Sequence, residues 1–152
     1  MITIKPFKTV YQKEIDIMLM EISKEFETTI FSKNKSTKAN SFNKYWIAFN
    51  GEELIGTIAI LKIENGCSIL KNMFVKKEFR GKKFNVSHKL LLKVFNWCKS
   101  ENITNIYLGT MEQFISAHKF YEKNGFQKIV KSELPKSFIQ NPIDSVFYKA
   151  II

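Results

Sequence analysis

Two Asn-Gly pairs divide the middle of the chain into apolar runs and fix the pattern of strands there. Asn and Gly tolerate the positive φ of a tight two-residue turn, so Asn50-Gly51 and Asn65-Gly66 predict two successive β-hairpins. The strands that these turns join are predicted at 45–49, 54–63 and 67–75. This part of the chain is therefore expected to form a three-stranded antiparallel meander.

Helical spacing of apolar residues marks three other segments. Side chains three and four positions apart share one face of a helix, and this spacing predicts helices at 11–28, 86–99 and 116–123. Asn124-Gly125 is expected to close the last of them. The second helix has the clearest apolar stripe, made of Val86, Leu90, Leu91, Val94 and Cys98. Shorter apolar runs predict strands at 2–4, 103–108, 126–130 and 145–152, the first of them at a sheet edge.

The order of these elements predicts an α/β (α+β) fold in a single domain, residues 1–152. The expected architecture is a mixed, twisted sheet of about seven strands with helices on both faces. A chain of 152 residues, 45% of them hydrophobic, is long enough to bury a core without disulfides or metal ions. The unit formed by strand 67–75, the basic loop, helix 86–99 and strand 103–108 is a crossover whose helix N-terminus can face a bound anion.

The apolar runs and the cysteines of the sequence indicate the compartment in which the protein is expected. No apolar run approaches the roughly 20 residues that span a bilayer, and the first residues lack the apolar centre of a signal peptide. We therefore expect a cytoplasmic protein that does not enter the membrane. Cys67 and Cys98 are expected to be free thiols. The two His and two Cys have no ligand spacing, so no metal site is predicted.

The net charge of +10 is concentrated in one stretch. Between Lys71 and Lys99 there are nine basic residues and one acidic residue, Glu78. A polyanion is expected to meet the protein there, whether a nucleotide-type cofactor, a nucleic acid or an anionic membrane surface. Lys71 itself is interpreted as surface charge that steers such a ligand inward.

Two motifs give this region a family resemblance. The first runs from Leu70-Lys-Asn-Met-Phe-Val75 through Glu78-Phe-Arg-Gly-Lys-Lys-Phe-Asn-Val-Ser87. The second is Ala117-His-Lys-Phe-Tyr121-Glu-Lys-Asn-Gly125-Phe126, which is similar to an A-x-x-x-Y-x-x-x-G-F signature. Together with the element order, they resemble the GNAT superfamily of acetyl-coenzyme A-dependent N-acetyltransferases. The resemblance covers most of the chain, from about residue 45 to residue 147.

The resemblance implies where acetyl-coenzyme A binds. Backbone N–H groups at a helix start form a concave site for a pyrophosphate, and the central strand supplies an oxyanion donor near Phe74 or Val75. It also implies that the sheet splays where the cofactor enters. The implied cofactor-binding residues are Met73, Phe74, Val75, Lys82, Lys83, Phe84, Asn85, Val86, Ser87 and Tyr121.

The register of the phosphate-binding loop has two solutions. The family pattern Q/R-x-x-G-x-G/A can begin at Arg80 or at Lys82. The second solution puts Asn85 and Ser87 at the glycine positions and leaves the apolar stripe of helix 86–99 buried, so we prefer it. Asn85 can replace a glycine because Asn tolerates left-handed backbone angles.

Two side chains are the catalytic candidates. The resemblance implies that the Tyr121 hydroxyl protonates the leaving thiolate; the alternative is a core aromatic residue. Glu112 follows the strand at 103–108 and is the candidate base; the alternative is a solvated loop acid. His118 is interpreted as a packing residue. Phe114 stands where the family often has Asn, which removes one expected contact to the pantetheine arm.

The expected reaction is direct attack by a primary amine on the acetyl group. The acceptor, a small-molecule or peptide amine, is left open; loops 27–44, 110–115 and 131–144 are expected to form its site. Two other functions remain as alternatives, a non-catalytic acyl-coenzyme A-binding protein and a basic nucleic-acid-binding module. The second is disfavoured because aromatic side chains in the basic stretch fall at packing positions. A monomer and a homodimer are both open.

Overall fold

The structure is a computed structural model that describes residues 1–26 and 41–152. Its ten main elements follow the predicted order. They are β1 (Ile2–Pro6), α1 (Gln12–Ser23), β2 (Lys44–Asn50), β3 (Glu53–Glu64), β4 (Cys67–Val75), α2 (Val86–Ser100), β5 (Asn105–Thr110), α3 (Ile115–Lys123), β6 (Gln127–Ile129) and β7 (Val146–Ile151). Single 3-10 turns lie at Thr9–Tyr11, Lys77–Phe79 and Lys131–Glu133.

The strands form one sheet of seven, in the order β1-β2-β3-β4-β5-β7-β6. Strands β4 and β5 are parallel, and the other neighbouring pairs are antiparallel. The predicted mixed sheet, its β1 edge and both hairpins are confirmed. Gly51 and Gly66 have φ of 63° and 76°, the left-handed angles that made these pairs turn signals.

The helices cover both faces of the sheet and bury two apolar clusters. On the face that we call the α1 face, Ile15, Met18 and Ile22 pack against β2 and β3. On the opposite face, the α2 face, the predicted stripe of α2 is 0–1% exposed and packs against the central strands. Helix α3 joins the α2 face through Tyr121. The predicted placement of helices on both faces is confirmed.

Several element boundaries differ from the predictions for local reasons. Strand β5 begins at Asn105 rather than at 103, because Asn102 adopts a left-handed φ of 58° and the Ile103 N–H bonds the Cys98 carbonyl at 2.8 Å. Ile103 is thus a buried core residue below α2 and is not part of β5. Helix α1 ends at Ser23, earlier than predicted. Most of the predicted loop 27–44 lies outside the described residues.

Candidate functional site

Strands β4 and β5 part after a short paired stretch. They pair only from Cys67 to Ile69 on β4, although β4 continues to Val75. A bulge in β4 coincides with the divergence: Asn72 has a φ of 52°, and the β3–β4 register shifts beside it. The fully buried Thr57 fixes the bulge by donating from its hydroxyl to the Asn72 carbonyl at 2.7 Å. The two strands therefore diverge beyond Ile69, as the resemblance implied, and we call the gap between them the cleft.

The last residues of β4 form one wall of this cleft. Met73 and Val75 contribute to the cluster on the α2 face, and Phe74 packs with the cluster on the α1 face. Because successive side chains of a strand point to opposite faces of the sheet, the backbone of β4 itself runs along the cleft after the bulge. Gly56 on β3 allows this course, since a Cβ there would lie 3.0 Å from the Phe74 carbonyl oxygen.

The N-terminus of α2 lies beyond the end of β4. Asn85 occupies its N-cap with φ of 55° and ψ of 31°, the left-handed conformation anticipated for a glycine substitute, and its side chain makes no capping bond. The first N–H groups of α2, beginning at Val86 and Ser87, lack intrahelical acceptors because of their position. Lys82 and Lys83 are exposed beside them, and the Lys83 Nζ lies 5.3 Å from the centroid of the Phe84 ring. This end of α2 combines a helix dipole, uncapped donors and cations, which suits a pyrophosphate.

The Arg80 side chain is hydrogen-bonded to groups other than those at the start of α2. Its Nε donates to the Val75 carbonyl at 2.8 Å, and its two terminal nitrogens donate to the Glu25 carboxylate at 2.6 and 2.8 Å. The guanidinium therefore ties the loop to the end of α1 rather than facing the start of α2. Both this geometry and the burial of the α2 stripe favour the register that begins at Lys82.

Tyr121 is buried, 5% exposed, in the aromatic cluster between α3 and the sheet. Its ring lies 5.5 Å from that of Phe126 and 5.9 Å from that of Tyr148, measured between centroids. Burial raises the pKa of Tyr121 well above its usual value, and the charges of Asp144 and Tyr148 raise it further. The hydroxyl thus keeps its proton at every physiological pH.

Asp144 and Lys71 carry opposite charges that act on each other, a relation that sequence reasoning missed. Burial raises the pKa of Asp144 to about 6, although Lys71 opposes the rise, and burial lowers the pKa of Lys71, although Asp144 opposes the fall. Both side chains are only partly exposed. Lys71 is therefore not the open surface charge predicted from the sequence. One signal was available: Asp144 directly precedes the last strand, whose start adjoins the end of β5.

The other predicted groups have environments of their own. Glu112 is exposed in the turn after β5. The Nε2 atom of His118 lies 2.9 Å from the Met111 carbonyl oxygen, which agrees with a packing role. Phe114 packs edge-on against Phe26, with centroids 4.8 Å apart. Its ring joins α1 to the start of α3, so this position serves packing here.

Aromatic residues of the basic stretch are directed inward. Phe79 is 9% exposed, and Phe84, Phe95 and Trp97 pack against the cluster on the α2 face. They do not form the exposed stacking platform that single-stranded nucleic acids require. Within residues 1–26 and 41–152, no helix is long and apolar enough to cross a membrane.

Comparisons with known proteins agree with this geometry. Residues 8–126 match the model of the Acetyltransferase (GNAT) family. The chain therefore belongs to the GNAT acetyltransferase family, which confirms the family predicted from its sequence.

Individual relatives are similar over different shares of their length. A GNAT-family acetyltransferase from Staphylococcus aureus has a similar structure, with a TM-score of 0.88 and 34% identity over 99% of both chains. The N-acetylaspartate synthetase of Danio rerio is 28% identical over 69% of this chain and 38% of its own length. Streptothricin acetyltransferase A of Bacillus subtilis is 35% identical over 47% of this chain and 40% of its own. The chain thus spans less than half the length of these two curated relatives.

The fold is also shared with a protein solved in complex with coenzyme A. The PaiA N-acetyltransferase of Thermoplasma acidophilum has a TM-score of 0.76 and 19% identity, with 100% of this chain and 99% of that chain covered.

Proposed function

We propose that this protein transfers the acetyl group of acetyl-coenzyme A to a primary amine, and that Tyr121 is the proton donor to the leaving sulfur. The observation that supports the proposal is the divergence of β4 and β5 together with two groups suited to the cosubstrate. Uncapped N–H groups and lysines lie at the start of α2, and the buried, un-ionised hydroxyl of Tyr121 lies in the cluster behind the sheet.

The residues present fit acetyl-coenzyme A. Asn85 gives the loop the backbone angles that bring successive N–H groups to a phosphate. The bulge at Asn72 opens the sheet where an extended pantetheine arm can lie beside β4. Bound acetyl-coenzyme A supplies the acetyl group as a reactive thioester.

The side chains and backbone of the cleft supply the rest of the chemistry. Backbone N–H groups of β4 near Phe74 and Val75 are suited to stabilise the negative charge that develops on the acetyl oxygen. Tyr121 Oη holds its proton because its pKa is raised, so it donates a hydrogen bond to the sulfur as negative charge accumulates there. The acceptor must reach this point as a neutral amine, since an ammonium has no lone pair.

The acceptor itself is not fixed by the family. The names of the matched relatives include an N-acetylaspartate synthetase and a streptothricin acetyltransferase, so the donor half of the reaction is shared while the acceptors differ. We propose a small-molecule or peptide amine as the acceptor.

A thermal-shift titration with acetyl-coenzyme A tests the cosubstrate. At a ligand concentration about 100 times Kd, we expect about 2.7 kcal/mol of added stability, which raises Tm by roughly 5–10 °C in a domain of this size. The double variant Lys82→Ala/Lys83→Ala should lose most of this shift. The matched control Lys128→Ala/Lys131→Ala removes two exposed lysines elsewhere and should keep it.

Release of free thiol in the presence of an amine panel tests the chemistry. Tyr121→Phe should keep the acetyl-coenzyme A shift while kcat falls about 10²–10⁴-fold, the usual contribution of a positioned general acid. Absence of any shift in the unaltered protein would refute the proposal. A shift without acetylation of any amine would instead favour the non-catalytic acyl-coenzyme A-binding alternative.

A further inference from the structure

Two opposite charges lie near the point where the sheet opens, one on β4 and one against β5. Lys71 lies on β4 two residues after Ile69, the last β4 residue that pairs with β5. Asp144 lies against β5 on the other side, and its carboxylate is so close to Gly109 that a Cβ there would lie 2.9 Å from Oδ2. Each side chain influences the pKa of the other, which places them within electrostatic reach across the gap.

Tyr121 belongs to the same electrostatic group. The charge of Asp144 is the second cause, after burial, of its raised pKa. The carboxylate is thus near both the cation on β4 and the hydroxyl proposed to face the sulfur. In the proposed reaction, an amine that attacks the acetyl group beside Tyr121 would therefore lie within the electrostatic influence of Asp144.

The pairing of Lys71 with Asp144 restricts which amines can bind without an energetic penalty. An acceptor that carries only an ammonium would place two cations against one partly buried carboxylate, and a like charge in such a site is unfavourable. An acceptor with a carboxylate beside its amine brings both charges. Its ammonium can face Asp144 while its carboxylate faces Lys71, so that all four charges are compensated.

We propose that Lys71 and Asp144 form the acceptor site, that they select an amine carrying an adjacent carboxylate, as in a free α-amino acid, and that Asp144 takes the first proton from the acceptor ammonium. This inference rests on the proposed acetyl transfer and names the substrate class of the same site.

The proton balance of the reaction follows from this arrangement. The ammonium loses one proton to Asp144, which later passes it to water. The neutral nitrogen then forms the C–N bond as the C–S bond breaks with its electron pair on sulfur. The second nitrogen proton replaces the one that Tyr121 Oη gives to the sulfur. Protonation of Asp144 removes a negative charge that opposes ionisation of Tyr121, so the hydroxyl becomes a better donor after the amine has been deprotonated.

The acidity of Asp144 fits this role. Its pKa of about 6 leaves it ionised at neutral pH, yet close enough to that pH to accept a proton. The charged and titratable groups that act on the site are Lys71 on β4, Tyr121 on α3 and Tyr148 on β7, and Tyr148 donates to Glu122 at 2.6 Å. The pKa of Asp144 itself, about 6, lies in the range of pH 5–7.

The test compares acceptors that differ by one carboxylate. Thiol release is measured with the common L-α-amino acids, each beside the amine that lacks its α-carboxylate, for the unaltered protein, Lys71→Met and Asp144→Asn. The matched controls are Lys128→Met and Asp16→Asn, which alter exposed residues outside the cleft. Acetyl-coenzyme A binding is followed in parallel by thermal shift for every variant.

We expect at least one amino acid to exceed its decarboxylated counterpart by about tenfold or more in kcat/KM, since a site built for a charge rejects ligands that lack it. Lys71→Met should abolish that preference by raising KM for the amino acid alone. Asp144→Asn should lower kcat about 10²-fold or more and remove the acid limb of the pH profile near pH 6. All variants should retain the acetyl-coenzyme A shift.

Three results would overturn the inference. The first is that simple amines equal or surpass every amino acid in kcat/KM. The second is that Lys71→Met prefers the amino acid over its decarboxylated counterpart as strongly as the unaltered protein does. The third is that no free amino acid is turned over. None of these affects the proposed acetyl transfer as long as acetyl-coenzyme A binds and some amine is acetylated. Loss of the acetyl-coenzyme A shift in the unaltered protein would refute the proposed function itself.

Discussion

Substitution of Gly109 by alanine measures how closely the Asp144 side chain is held against β5. An alanine Cβ would lie 2.9 Å from Asp144 Oδ2, 3.2 Å from Asp144 Cβ and 3.2 Å from a ring carbon of Phe147. Nonbonded carbon atoms prefer about 3.5–4.0 Å, so these neighbours must retreat by roughly 0.3–0.6 Å or more. The short Asp144 side chain and the ring of a buried residue cannot both yield by rotation alone.

The expected cost has a structural and a functional part. Overpacking of this kind costs about 1–3 kcal/mol, which should lower Tm by roughly 2–12 °C. Displacement of the carboxylate should lower kcat/KM about tenfold or more, because misplacing a reacting group by about 1 Å costs up to about 10²-fold. Urea unfolding gives the first quantity and thiol release with the best acceptor gives the second.

Gly51→Ala is the matched control for this experiment. Gly51 lies in the β2–β3 hairpin with a φ of 63°, and a methyl group added to its Cα would meet no atom within 4 Å. Alanine there should cost about 1–2 kcal/mol through backbone strain alone and leave kcat/KM unchanged. If Gly109→Ala were as stable and as active as the unaltered protein, the close contact between Asp144 and β5 would be wrong, and the placement of the acceptor site would lose its basis.

Two further predictions concern the phosphate loop and the response to pH. Asn85→Gly should keep stability and acetyl-coenzyme A affinity, whereas Asn85→Ala should cost about 1–2 kcal/mol in urea unfolding because of its left-handed φ of 55°; equal stability of the two variants would contradict the assigned conformation. The pKa of Asp144 is raised from 3.8 to about 6 in the folded protein, so folding favours its protonated form. The ionised carboxylate of Asp144 therefore destabilises the folded protein. This effect is absent below about pH 4, grows as the pH rises toward 6 and is complete above about pH 6. Asp144→Asn should therefore stabilise the protein at pH 7.5 more than at pH 4, and a pH-independent difference in unfolding free energy would refute this assignment.

The sequence by itself determined the order of elements and the family. Asn50-Gly51 and Asn65-Gly66 act through local backbone preferences, and the stripe of α2 acts through a fixed helical period, so both could be read from neighbouring residues. The left-handed conformation of Asn85 was foreseen for the same reason. The spacing around Tyr121 identified the family because that motif lies within one helix and its cap.

Tertiary structure alone decided the charges of the cleft. Lys71 and Asp144 are far apart in the chain, and each influences the pKa of the other because β4 and the segment before β7 both lie beside β5. The contacts of Arg80 with Val75 and Glu25 likewise could not be read from the sequence, and they favour the register that begins at Lys82. A pattern of neighbouring residues indicates the conformation of the chain. The desolvation and the pairing of a charged group depend instead on the residues that pack around it in the folded protein. The order of strands and helices could therefore be predicted from neighbours in sequence, but the bulge at Asn72 and the ionisation of the site depend on neighbours in space.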